Sequence, residues 1–216
     1  SDLLINVQHI IGSQFADSIV GSSAQIFEQF EGGLGDDTID GGAITSSANS
    51  NRVVYLNASG GVTVDLRAGT ATGPQGTDTL RNINHVRASA HDDSLYGSDR
   101  TDFTEAFDGR EGNDYIDGRG GFDVVRYDAA TTGVNVNLAT GIALDGQGGT
   151  DTLVGIEEIR GTSYNDTLTG GHPQGGETID DGLTEIFHGN GGNDIIDGGA
   201  GFDRAWRQGT RPARRQ

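Results

Sequence analysis

One ten-residue register, Gly-x-x-Gly-x-Asp-x-Ile-Asp-Gly, is written three times in this chain of 216 residues. The copies are Gly32-Gly33-Leu34-Gly35-Asp36-Asp37-Thr38-Ile39-Asp40-Gly41, Gly109-Arg110-Glu111-Gly112-Asn113-Asp114-Tyr115-Ile116-Asp117-Gly118 and Gly189-Asn190-Gly191-Gly192-Asn193-Asp194-Ile195-Ile196-Asp197-Gly198. The spacing from Asp37 to Asp114 is 77 positions and from Asp114 to Asp194 it is 80. A fixed long period marks a repeat architecture, in which each unit buries its apolar face only by stacking on its neighbours.

Each period repeats a longer order. It opens on Asp-x-Leu and an apolar strand, as in Asp2-Leu3-Leu4, Asp78-Thr79-Leu80 and Asp151-Thr152-Leu153. A degenerate nine-residue unit follows, carrying Asp17 and Ile19, then Asp93 and Leu95, then Asp166 and Leu168. A variable loop then returns to Glu-x-Phe at Glu28, Glu105 and Glu185, ahead of the strict register. A fourth unit comes after it, Gly118-Arg119-Gly120-Gly121-Phe122-Asp123 in the second period and Gly198-Gly199-Ala200-Gly201-Phe202-Asp203 in the third. In the first period the insertion 43–50 stretches this unit, and Asn51 holds the acid position.

Alternating stretches, Val62-Thr63-Val64-Asp65-Leu66 and Val134-Asn135-Val136-Asn137-Leu138, join the periods and have the two-residue alternation of half-buried strands. No window shows helical periodicity. The boundaries that result are 1–55, 56–127 and 128–206 for three modules, the first truncated, and 207–216 for a basic tail. An anchor for an anionic surface is one reading of that tail; a frayed or non-native end accounts for it more simply.

Composition narrows the function. Glycine contributes 37 residues and hydrophobic residues only 33% of the chain, so the core is thin. The net charge is −18, with 14 cationic residues against 32 acidic ones, and such a chain repels itself unless cations offset the field. The same balance argues against nucleic acid as a partner. There is no cysteine, which excludes disulfides and thiolate metal sites. No apolar run approaches the ~20 residues of a membrane span. The sequence starts at Ser1 without methionine and reads as part of a longer chain.

Calcium suits the register. It takes six to eight hard oxygens from carboxylates, carbonyls and water. Glycines let successive carbonyls turn towards one point, and the sixth-position aspartate adds a carboxylate. Turn formation explains an isolated aspartate after glycine, but recurrence in register with three glycines favours a ligand. Loops two units apart stack in a coil of this period. That places Asp17 on Asp37, Asp93 on Asp114 and Asp166 on Asp194 along one edge. Along the other it places Glu28 on Asn51, Glu105 on Asp123 and Glu185 on Asp203. For the three glutamates an exposed edge carboxylate is an equal reading, while Asp36, Asn113 and Asn193 read as solvent-facing turn residues. Phe30, Phe107, Phe187, Phe122 and Phe202 read as core or end-packing residues. The five histidines have no metal-ligand spacing, and neither His-Glu-x-x-His nor Gly-x-Ser-x-Gly occurs, so the chain reads as non-enzymatic.

These motifs resemble the glycine-rich nonapeptide repeats of RTX proteins, the haemolysin-type calcium-binding family of secreted bacterial proteins. The resemblance implies an all-β fold, a right-handed parallel β-roll or β-helix solenoid, here with side loops and short hairpins. It implies calcium ligands at Gly32, Gly33, Leu34, Gly35 and Asp37, at Gly109, Arg110, Glu111, Gly112 and Asp114, and at Gly118, Arg119, Gly120, Gly121 and Asp123. In the third module they are Gly189, Asn190, Gly191, Gly192, Asp194, Gly198, Gly199, Ala200, Gly201 and Asp203. The degenerate turns add Asp17, Asp93 and Asp166, and the edge glutamates Glu28, Glu105 and Glu185. Secretion through a type 1 channel, an extracellular or cell-surface location and folding on calcium are implied with it, as are neighbouring modules of the parent protein as partners. Two other readings assign the chain to an accessory module of an extracellular protease or polysaccharide-modifying enzyme, or to an adhesin or matrix repeat that binds a glycan or cell surface through its variable loops 43–50 and 170–182.

Overall fold

A computed structural model describes residues 7–22, 27–46, 49–171, 185–199 and 201–207. The opening Asp2-Leu3-Leu4, most of the loop 170–182, Ala200 and the tail from 208 onward lie outside the described residues.

Why short strands suffice here follows from the side-chain alternation. Most strands have three to five residues, too few to be stable singly, but their central residues are buried and stack on equivalents one coil away. Each coil gives one strand to each of two sheets. The first sheet has nine strands, all parallel: His9–Ile11, Phe27–Glu31, Ser50–Val54, His85–Arg87, Glu105–Asp108, Asp123–Arg126, Glu158–Arg160, Ile186–Asn190 and Arg204–Arg207. Its inward row runs Ile10, Phe30, Val53, Val86, Phe107, Val125, Ile159, Phe187, each paired in register with the next. The facing sheet contributes Ile19, Ile39, Leu80, Val64, Leu95, Ile116, Leu153, Val136 and Leu168 to the same core. The result is an all-β parallel β-roll.

The facing sheet is interrupted twice. In it the alternating stretches become three-stranded antiparallel excursions, Thr63–Asp65 with Thr70–Gly73 and Gly76–Arg81, and Asn135–Asn137 with Ile142–Leu144 and Thr150–Val154. The third strand of each excursion pairs in parallel with the strand of a strict register: Ile39 sits opposite Leu80, and Ile116 opposite Leu153. The Asp-x-Leu segments are thereby carried underneath the strict turns, which places Asp78 beside Asp37 and Asp151 beside Asp114.

Phe30, Phe107 and Phe187 are buried as expected, but Phe202 departs from the core or end-packing role: it is 66% exposed, with the Arg204 guanidinium over its ring. Its turn belongs to the terminal described coil, against which no further described strand packs. The contrast gives a test. Phe107→Ala should cost about 3–5 kcal/mol and Phe202→Ala less than about 0.5 kcal/mol, read by denaturant unfolding in saturating calcium.

Candidate metal centre

The strict turns use glycine for two separate reasons. At the first position (Gly32, Gly109, Gly118, Gly189, Gly198) φ is ordinary, but the place a Cβ would take is filled by the carboxylate of the sixth-position aspartate, which folds back over the turn. At the second and fourth positions the backbone is left-handed. Gly35 and Gly112 have φ of 116° and 120°, and Gly121, Gly192 and Gly201 match them. Gly33 and Gly199 take the same conformation at the second position, where Arg110, Arg119 and Asn190 adopt it despite carrying side chains. The third-position residues Leu34 and Glu111 are exposed, and Gly120 and Gly191 half-exposed, so these positions offer only their carbonyls to the turn. The Arg119 side chain reaches across the sheet to Asp65 in a 2.7 Å ion pair.

Hydrogen bonds link the acids of successive coils. Asp17 N–H donates to Asp37 Oδ1 at 2.8 Å, Asp93 N–H to Asp114 Oδ1 at 2.9 Å and Asp166 N–H to Asp194 Oδ1 at 3.1 Å. The ladder continues through residues that the repeat pattern does not single out as ligands: Asp37 N–H donates to Asp78 Oδ1 and Asp114 N–H to Asp151 Oδ1, both at 3.1 Å. The second edge pairs Glu28 with Asn51 and Glu105 with Asp123, and Glu185 N–H donates to Asp203 Oδ1 at 3.2 Å. Here Asn84 and Glu157 complete the row, accepting from the backbone N–H of Asn51 and Asp123. All three edge glutamates are buried, so they are not exposed edge carboxylates. On the outer side, Asp36 and Asn113 face solvent yet accept from Thr77 and Thr150, and Asn193 N–H donates to Asn165.

What happens at the second carboxylate oxygen divides the turns into two kinds. In the degenerate turns the second position is Ser13, Ser89 or Thr162, in ordinary rather than left-handed backbone, and its N–H points at the acid. Ser89 N–H donates to Asp93 Oδ2 at 2.8 Å and its hydroxyl also donates to that carboxylate; Thr162 does the same for Asp166 and Ser13 for Asp17. The same hydroxyl accepts the N–H two residues on, at Phe15, His91 and Tyr164. Ser98 closes Glu105 in this way, and the N–H groups of Ser22 and Gly171 close Glu28 and Glu185. In the strict turns the left-handed second residue aims its N–H elsewhere. Oδ2 of Asp37, Asp114 and Asp123 is then buried with no donor. A buried acceptor left so costs about 1–3 kcal/mol, more if charged. Asn51, at the acid position of the stretched first-module turn, is held instead by its own amide, which donates to Gly42 O and Asn82 O.

Two buried tyrosines extend the network: Tyr55 O–H donates to Asp78 Oδ2 and Tyr127 O–H to Asp151 Oδ2, each at 2.9 Å. The signal for these acids was the recurrence of Asp-x-Leu at the start of every module, as Asp-Thr-Leu in the second and third. No group of three His, Cys, Asp or Glu side chains converges on one point among the described residues. Calcium accepts carbonyl as well as carboxylate oxygens, unlike a transition metal held by side chains alone.

A family model described as the RTX calcium-binding nonapeptide repeat matches the chain in four copies, at 28–43, 106–125, 154–172 and 186–205. The matched segments contain every strict turn, those of Asp37, Asp114, Asp123, Asp194 and Asp203, and one serine/threonine-closed turn, that of Asp166. Such repeats are calcium-binding. No curated protein matches the chain.

Burial pushes the Asp114 carboxyl up to about 8, opposed by the Asp93 N–H and reinforced by the charges of Asp151, Asp93 and Asp145. Burial likewise pushes Asp123 to about 9, with Glu157 and Glu105 adding to it, and Asp151 to about 6. A carboxyl raised above its unfolded value of about 4 keeps its proton longer in the folded chain, which then binds more protons than the unfolded one. This contribution to stability is full below about pH 4 and is lost as pH rises through the folded values. In the opposite sense Asp65, lowered to about 2 by the hydrogen bond from Arg119, gives up its contribution only in strong acid. In chelator the thermal midpoint should therefore fall steadily between pH 5 and pH 9. Millimolar calcium should reverse that slope, since the cation takes the ionised carboxylates. Thermal melts across this range in both conditions check it.

Proposed function

With RTX calcium-binding repeats established in the chain, we propose that it is a β-roll segment of a larger secreted or surface bacterial protein, exported unfolded through a type 1 channel and completed by extracellular calcium. The observation that carries this reading is the contrast at Oδ2: buried and without a donor at Asp37, Asp114 and Asp123, doubly capped at Asp93 and Asp166. Calcium would be held by Asp37, Asp114, Asp123, Asp194 and Asp203 with carbonyls of their glycine turns. Asp17, Asp93, Asp166, Glu28, Glu105 and Glu185 would hold the neighbouring coils in place and contribute to cation binding chiefly through the field of their charge.

Calcium would supply the positive charge that permits the acids of the strict turns to be ionised beside the carboxylates of the adjoining coils. The chain supplies the rest: left-handed backbone at the second and fourth positions turns N–H groups away from the carboxylate, and the stacked strands fix the spacing of the turns. Modules of this type bind at about 10⁻⁴–10⁻³ M, between cytosolic and extracellular calcium levels, so mass action would favour the unfolded chain inside the cell and the folded one outside. Among the described residues no helix is long and apolar enough to cross a membrane.

Circular dichroism with and without millimolar calcium should show strand signal and thermal midpoint rising with the ion. Asp114→Ala and Asp194→Ala should each shift the calcium midpoint to higher concentration, and an absence of any calcium response would sink the proposal. Ser89→Ala separates the two kinds of turn: it should cost about 1 kcal/mol equally with and without calcium, whereas Asp114→Ala should cost far more with the ion than without it.

A further inference from the structure

The loop joining Ile142–Leu144 to Thr150–Val154, Asp145-Gly146-Gln147-Gly148-Gly149, lies outside all four matched repeats. Yet Asp145 is 0% exposed. Its Oδ1 accepts three backbone N–H groups, from Gln147 at 2.8 Å, Gly148 at 2.9 Å and Gly149 at 2.8 Å. This cradle fixes the position of the carboxylate. Its Oδ2 is buried and has no donor.

That oxygen faces a strict turn. The place a Cβ on Gly149 would take lies 2.8 Å from Asp145 Oδ2 and is closer still to the carbonyl oxygen of Gly112, so the two oxygens border one spot that only glycine leaves open. Gly112 is the fourth residue of the turn whose aspartate, Asp114, also has a buried Oδ2 without a donor. The buried Tyr127 O–H is committed to Asp151. An anion turned into a buried acceptor-lined space without a proton donor is strongly unfavourable unless a cation meets it.

We propose that Asp145 is a ligand, supplied by the antiparallel excursion, for a hard divalent cation bound at the Gly112–Asp114 turn. The first module provides the internal comparison. Its excursion turns through Pro74 and Gln75 with no carboxylate in the loop, and Gly76 crowds the Gly35 carbonyl in the equivalent way; the carboxylate oxygen beside that spot is Asp36 Oδ1 of the turn itself, which accepts the Thr77 N–H, and the second module has Asn113 at that position. In the second module the carboxylate at this spot thus comes from the excursion and its oxygen has no donor, whereas Asp36 Oδ1 is already met by an N–H; ligand charge is a main determinant of calcium affinity.

The inference rests on calcium binding by the strict turns, and the test distinguishes the two. The full chain is titrated with calcium by calorimetry, and thermal midpoints are taken in chelator and in calcium. Asp145→Asn keeps the oxygen that holds the loop N–H groups and removes the charge. The expected result is one site weakened about tenfold or more, with stability lowered in calcium and unchanged or raised in chelator. A calcium titration matching the unaltered chain, or an equal loss of stability in both conditions, would identify Asp145 as a loop cap and overturn the inference. Asp114→Asn is the control: if the unaltered chain takes up no calcium, the repeat reading itself fails. If Asp114→Asn loses a site that Asp145→Asn retains, only the role of Asp145 fails.

Discussion

The hydrogen bond from the backbone N–H of one coil's acid to the carboxylate of the next coil's acid governs this molecule. It sets the vertical register of the two edges, so that rows of aromatic and β-branched residues meet in the core without a helix or a wide apolar face to enforce it. In the turns of Asp37, Asp114, Asp194 and Asp203 it also consumes one oxygen of the acid. The fate of the other oxygen is then the only variable left at each turn, and the backbone conformation of the second residue decides it. In ordinary backbone a serine or threonine closes the turn with its own N–H and hydroxyl. In left-handed backbone the turn stays open and presents a bare carboxylate oxygen with surrounding carbonyls.

This is why a chain with net charge −18 can be drawn as a compact solenoid. Its acids are not scattered across a solvated surface; many are buried at the two edges, and most of these are at least half neutralised by N–H groups. What hydrogen bonds leave uncompensated is concentrated in the strict turns, where a cation can reach it. The arginines act elsewhere: Arg119 on Asp65 and Arg87 on Asp108 tie strands together away from the glycine turns.

Much of this was legible in the residues. Period-two alternation located the strands, and spacing alone paired Asp17 with Asp37, Asp93 with Asp114, Asp166 with Asp194 and the edge glutamates with their partners. Less accessible was the part played by residues whose signal is shared with a simpler role. Asp78 and Asp151 read as strand openers because Asp-Thr-Leu is equally consistent with that, and only the antiparallel excursions bring them under the strict turns. The units of Asp93 and Asp166 read only as degenerate copies, whereas their Ser89 and Thr162 are an alternative closure of the same turn. Phe202 matched Phe122 in sequence position, but burial depends on a covering coil that the local pattern does not encode.

The excursions also divide the protein in a way its two edges do not share. On the second edge the acids and amides run from Glu28 to Asp203 as one unbroken row, whereas on the first edge the row is cut into three, ending at Asp78, at Asp151 and at Asp194. A disturbance on the first edge must cross antiparallel strands to reach the next module, while on the second edge it passes between parallel strands stacked directly on one another. The solenoid is thus segmented along one side and continuous along the other, like a hinged strip backed by a single tape. Bending or partial opening would be concentrated at the two excursions, so each module could loosen without unzipping its neighbours.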